Sequence, residues 1–98
     1  MILPAIARGA VVACDRFIDS TLAYQGAGRV LDMDELEPIA RWAAAGVIPD
    51  LTILLDLHHT VGLATIDEPD RLEAAGDDFH ARTRDQFLAL AARAPERY

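Results

Sequence analysis

The sequence predicts an α/β fold, on three observations. Two short apolar, β-leaning runs, Ala10-Val11-Val12-Ala13-Cys14 and Leu51-Thr52-Ile53-Leu54-Leu55, read as strands covered on both faces. Each run ends on an aspartate, Asp15 and Asp56, and around the runs the apolar residues recur at helical spacing. In an open α/β sheet the carboxyl ends of parallel strands are where ligands bind, which draws attention to the residues from Asp15 onward.

The elements follow in order. Residues 2 to 8 read as the last turns of a helix capped by Gly9, and residues 10 to 14 as the first strand. From about Ser20 a short helix is expected, ended by Gly26-Ala27-Gly28. Asp32 with Glu35 three residues on resembles a capping box for the next helix, whose start Pro38 either delays to Glu37 or kinks. Ile39, Trp42 and Ala43 are its expected buried stripe, and Gly46 closes it. The second strand spans residues 51 to 56. Residues 60 to 65 suit a short helix, and 66 to 70 a polar loop. Residues 77 to 94 carry the clearest helical pattern, with Phe79, Thr83, Phe87, Leu90 and Ala94 on one side.

Composition sets the outer limits. With 98 residues there is room for one domain and a modest core. Apolar content of 52% with 26% charged residues is globular, no run approaches a membrane span, and the first residues make a poor signal peptide, so a cytoplasmic protein is expected. A net charge of −7 argues against a nucleic-acid binder. All nine basic residues are arginine, which removes P-loop and Schiff-base lysines from consideration. Cys14, the single cysteine, has no partner for an internal disulfide and is expected to pack as a small hydrophobe. His58 and His59, adjacent in extended backbone, would point to opposite faces and so suit a solvated loop better than a shared metal site. Gly26-Ala27-Gly28 is no dinucleotide fingerprint, since Leu31 stands where a third glycine would.

The stretch D-R-F-I-D-S-T-L-A-Y-Q-G-A-G-R from Asp15 resembles the monophosphate-binding signature of thymidylate kinases. R-W-A-A-A-G-V-I-P-D-L-T-I-L-L-D-L, then G-L-A, D-R-L-E and F-H-A-R-T-R-D-Q-F-L-A-L-A continue the likeness along essentially the whole chain. The resemblance implies a partial P-loop kinase fold, a parallel sheet flanked by helices, with the P-loop strand and the last strand missing. Residues 1–98 would form a single incomplete domain, with a monophosphate-binding segment at 15–29 and a lid at 62–73. The family's sheet order would place the absent first strand between the two strands present. Its activity transfers the γ-phosphoryl of ATP to thymidine monophosphate (dTMP) with Mg²⁺, in an enzyme that is a homodimer when intact.

Residue by residue, the resemblance puts Arg16 on the monophosphate, a role that suits a planar guanidinium able to donate two parallel hydrogen bonds. A structural ion pair with Asp15 or Asp19 is the alternative. Asp15 aligns with an acid near the phosphates and metal. Ser20 and Thr21 match positions lining the nucleoside pocket, or else cap a helix. Tyr24 matches a tyrosine beside the 2′ position of the sugar, or else is core, and Gln25 offers amide contacts nearby. Arg71 matches the end of the lid, where it would bring positive charge to the transferring phosphoryl. Two departures stand out: Thr65-Ile66-Asp67-Glu68-Pro69-Asp70 replaces the arginines many relatives carry in the lid, and Arg29-Val30 replaces R-G.

The chain contains no G-x-x-x-x-G-K-[ST] loop, so ATP binding in the family manner is not expected of it alone. The expectation is therefore the dTMP-binding and lid part of a thymidylate kinase, inactive by itself. The alternatives are a noncatalytic fragment that assembles with a separate N-terminal half, and a deoxynucleotide kinase of another base preference.

Overall fold

The computed structural model describes residues 1–27, 31–58, 60–61 and 76–98. Their regular structure is helical. Helix α1 spans Ile2–Ala7, α2 spans Ile18–Thr21 and runs directly into a π-helical turn at Leu22–Ala27, α3 spans Met33–Ala43, and α4 spans Asp77–Arg93.

No β-ladder forms among the described residues, so the expected sheet is not built there. The reason is partnership rather than local preference. Residues 10–14 and 51–58 run without helix or turn, but a strand exists only when a neighbour accepts and donates along its length. Thr52 does so once, its N–H donating to the Arg97 carbonyl at 2.8 Å. The side chains meant for a covered sheet stand in the open: Val11 is 99% exposed and Leu55 86%. Cys14, expected to be packed, is exposed too, its thiol donating to the Arg16 carbonyl at 3.3 Å.

Helix ends obey the chemistry read from the sequence more closely. At the end of α1, the Gly9 N–H donates to Ile6 O and the Ala10 N–H to Ala5 O, with Gly9 at φ 80°, which is a Schellman closure. Helix α3 begins at Met33 under Asp32, whose carboxylate accepts from the Asp34 N–H at 2.8 Å. It does not wait for Glu37, and Pro38 lies inside it. The carbonyl that Pro38 cannot bond is that of Asp34, an exposed residue open to water.

The far end of α3 repeats the Schellman pattern one residue earlier than Gly46 suggested. Ala45 N–H donates to Trp42 O and Gly46 N–H to Arg41 O, which leaves the alanine at φ 51°. A non-glycine residue there carries a steric penalty of about 1–2 kcal/mol. Ala45→Gly is expected to stabilise the chain by about 0.5–1 kcal/mol, the relief being partly offset by glycine's larger unfolded-state entropy, and a rise in the urea midpoint measures it.

The core sits where α3 and α4 close over α2 and its π turn. Ile18, Leu22, Ala23, Ala40 and Leu90 are buried, with Phe17, Met33, Leu36, Ala44, Phe87 and Tyr98 packed against them. The buried stripe of α3 is thus Met33, Leu36, Ala40 and Ala44, whereas Ile39 is 61% exposed, Trp42 84%, and Ala43 also exposed. This helix carries two apolar faces, and the expectation chose the outer one. For α4 the pattern was right: Thr83 and Leu90 are buried, with Phe79, Phe87 and Ala94 partly so. No helix among the described residues is long and apolar enough to cross a membrane.

Candidate functional site

The first extended run delivers Asp15 and Arg16 to the start of α2, and the backbone turns sharply there. Arg16 adopts φ 61°, the left-handed region that a non-glycine residue occupies only at a steric cost offset by its surroundings. The consequence is the placement of its side chain. The guanidinium lies over the Tyr24 ring, 5.4 Å from the centroid. A cation in that position is attracted by the ring's negative face, and its N–H groups are able to donate to an anion.

Tyr24 in turn is held from behind. Its ring meets Phe79 at 6.0 Å in a tilted arrangement and Phe87 at 6.1 Å edge-on, both from α4. It is half-buried, so the two readings of this tyrosine are not exclusive: one side is packing, and the other faces Arg16. The π-helical turn that carries it, Leu22–Ala27, places Tyr24 and Gln25 off the simple 3.6 period, a device that recurs at functional sites. Gly26 is buried against Met33, and a Cβ there would run into the Met33 thioether, whose flexible side chain would have to shift.

Helix α2 and its continuation divide cleanly by face. Ile18, Asp19, Leu22 and Ala23 are buried, whereas Thr21 is exposed and Ser20, Tyr24 and Gln25 are intermediate. The candidate substrate residues therefore share the outward side with Arg16 and Asp15, both exposed. Arg71, Arg29 and the lid at 62–73 lie outside the described residues, as does His59. His58 Nδ1 sits 2.8 Å from Thr60 Oγ1 in a local pairing.

Sequence reading missed three long-range ion pairs among the described residues, Arg93 with Glu37 at 3.6 Å and two bidentate ones. Arg97 donates from Nη1 to Asp19 Oδ2 at 2.7 Å and from Nη2 to Asp19 Oδ1 at 2.9 Å, and Nη1 also donates to Thr52 Oγ1 at 2.8 Å. Asp19 is thus taken by Arg97 and not by Arg16. The Asp19 carboxylate holds the Arg97 guanidinium above its ordinary pKa. The Tyr98 hydroxyl is buried beside this pair with no well-formed hydrogen bond among the described residues, and burial, with the Asp19 charge, raises its pKa. A cavity of about 270 Å³ lies on this inner side, lined by Ile18, Asp19 and Leu22 among others but by none of Ser20, Thr21, Tyr24 or Gln25.

The second bidentate pair joins Asp56, at the end of the second extended run, to Arg84 on α4 through contacts of 2.7 and 2.9 Å. The Arg84 hydrogen bonds lower the Asp56 pKa below 3.8. A carboxylate whose folded pKa is depressed contributes stability above its unfolded pKa and loses it as pH falls through the folded one. The Asp56 carboxyl carbon is accordingly expected to titrate by NMR with a midpoint below 3.8, and Arg84→Gln to move that midpoint upward.

With this geometry in hand, comparison with known proteins is direct. The profile of the family described as thymidylate kinase matches residues 1–98. This chain belongs to the thymidylate kinase family. It is 54% identical over 98 residues to the thymidylate kinase of Cutibacterium acnes, covering all of this chain and 48% of that protein. It is 52% identical over 102 residues to the thymidylate kinase of Clavibacter sepedonicus, again 100% of this chain and 48% of the relative. The thymidylate kinase of Synechococcus is 50% identical over 97 residues, 99% of this chain and 47% of the relative. The chain thus spans about half the length of these curated relatives.

Among the described residues no group of three or more His, Cys, Asp or Glu side chains could enclose a metal ion, and the 98 residues contain neither a P-loop motif nor a lysine. Asp15 supplies one exposed carboxylate, and Mg²⁺ at phosphoryl-transfer sites is held by one or two carboxylates together with the substrate's phosphates.

Proposed function

We propose that this chain provides the acceptor side of a thymidylate kinase, the surface that receives dTMP, within a P-loop kinase fold whose donor side it does not supply. The observation that carries the reading is Arg16 in a left-handed backbone with its guanidinium over Tyr24. That pairing sets a two-pronged phosphate donor beside an aromatic wall, at the end of an extended run where α/β proteins place ligands. In this reading Arg16 binds the 5′-phosphate, Tyr24 flanks the sugar and excludes a 2′-hydroxyl, and Ser20, Thr21 and Gln25 contact the nucleoside. Asp15 lies near the phosphates and Arg71 acts from the lid at 62–73. ATP and Mg²⁺ engage only with a P-loop half, and the 98-residue chain has no turnover alone.

Isothermal calorimetry of the chain with thymidine monophosphate tests the reading. Binding is expected, weaker for the ribose analogue, and weaker for dUMP, dCMP and dGMP. No binding of any monophosphate would overturn it, and tighter binding of another base would make the chain a deoxynucleotide kinase of different preference.

A second reading is favoured by the extended runs, which expose apolar side chains and form no ladder among the described residues, and so offer a template for another strand. The chain would then be an assembly partner for a separate N-terminal half. Mixing it with the N-terminal half of the Cutibacterium acnes relative is expected to give a complex with kinase activity. A complex without activity would favour a purely noncatalytic role.

A further inference from the structure

Three separate parts of the chain meet at Asp19. Its carboxylate receives both prongs of Arg97 from the C-terminal tail, and Arg97 also holds Thr52 of the second extended run through the hydroxyl. The Thr52 N–H returns a bond to the Arg97 carbonyl at 2.8 Å, and the Arg97 guanidinium stacks on Tyr98 at 4.6 Å. The side chains are mostly enclosed, Asp19 at 9% exposure and Arg97 at 18%. Asp19 immediately precedes Ser20 and Thr21 and lies five residues before Tyr24, on the opposite face of the same helical segment.

From this geometry we infer that Asp19 and Arg97 are positioning residues, which fix the rotation of α2 about its axis and so aim Thr21, Tyr24 and Gln25 outward. A bidentate pair has the required property, because two parallel hydrogen bonds constrain angle as well as distance. The apolar neighbours Ile18, Leu22 and Ala23 can hold the helix down, but contact of that kind tolerates rotation. Helix α2 has only four residues before the π turn, so little within the helix itself sets its direction. The role in ligand binding rests on the proposed acceptor-site reading; the aiming of the helix does not.

The test uses the 98-residue chain with Asp19→Asn, Arg97→Lys and, as a control of comparable destabilisation, Leu90→Ala from the core. Two readouts are taken. Without ligand, amide shifts of residues 20–25 and the Tyr24 to Phe79 and Phe87 ring contacts are followed by NMR. With thymidine monophosphate as the probe, Kd is measured and corrected for the folded fraction. Asp19→Asn is expected to shift the 20–25 amides, to weaken the ring contacts, and to raise Kd about tenfold among folded molecules. Arg97→Lys, which keeps charge but not the fork, is expected to fall between Asp19→Asn and the parent, and Leu90→Ala to leave corrected Kd unchanged. Unaltered amides and ring contacts in Asp19→Asn would overturn the inference. So would altered amides with unaltered Kd, or a Leu90→Ala effect as large as that of Asp19→Asn. A parent chain that fails to bind the probe while Asp19→Asn still moves the amides would overturn the acceptor-site reading and leave the positioning role standing.

Discussion

Arg16→Ala is expected to weaken binding of thymidine monophosphate roughly 30- to 150-fold, the loss of about 2–3 kcal/mol from charge-assisted hydrogen bonds to a phosphate. The substitution isolates binding from folding for two reasons. Arg16 is exposed, and its left-handed backbone penalises alanine much as it penalises arginine, so stability should stay within about 0.5 kcal/mol of the parent. Arg16→Lys is expected to recover only part of the loss, since an ammonium supplies the charge without the planar fork. Calorimetric Kd values for parent, alanine and lysine variants decide the matter. Equal affinities in all three would place the phosphate elsewhere.

Arg16→Gly extends the same series. Glycine accepts φ 61° without steric cost, so the variant is relieved of backbone strain while losing the guanidinium. Any gain in stability over Arg16→Ala then reports the energy stored at this residue, and affinity should match the alanine variant.

How far the site was legible depends on how local its causes are. The D-R-F-I-D-S-T-L-A-Y-Q-G stretch stood out because its residues are consecutive, but the contact of Arg16 with Tyr24 was not in the reading, since it depends on the left-handed turn at Arg16. Helix α4 was legible from Phe79, Thr83, Phe87 and Leu90, whose spacing alone defines a face. The α3 stripe was not, because Ile39 and Trp42 satisfy the same period as Leu36 and Ala40, and only tertiary packing chooses between them. The left-handed Ala45 was hidden for a related reason: Gly46 stood beside it and looked like the cap. Residues 10–14 and 51–56 have strand chemistry, but pairing is a property of two segments and cannot be read from one. The Asp19 to Arg97 contact joins residues 78 positions apart, and nothing in the spacing marks either as the other's partner.

That pair also sets the largest expected stability effect. Arg97→Ala leaves the Asp19 carboxylate enclosed without its counter-charge and removes the donor to Thr52, and breaking a buried pair in this way costs about 3–5 kcal/mol. The lower end applies, because Arg97 keeps 18% of its side chain exposed and water can reach part of the gap. Even about 3 kcal/mol is a large share of the 5–15 kcal/mol typical of a whole domain. The urea midpoint should therefore fall steeply, with the unfolded state populated before denaturant is added if the parent is at the weak end of that range. Asp19→Leu with Arg97→Met is expected to recover most of the loss, since apolar side chains of similar size remove both charges and fill the same space. The double variant should nevertheless bind thymidine monophosphate as weakly as Asp19→Asn, because packing restores the enclosure but not the angular constraint on α2. A double variant as unstable as Arg97→Ala would mean that the cost lies in lost packing of the arginine stem, and not in the stranded carboxylate.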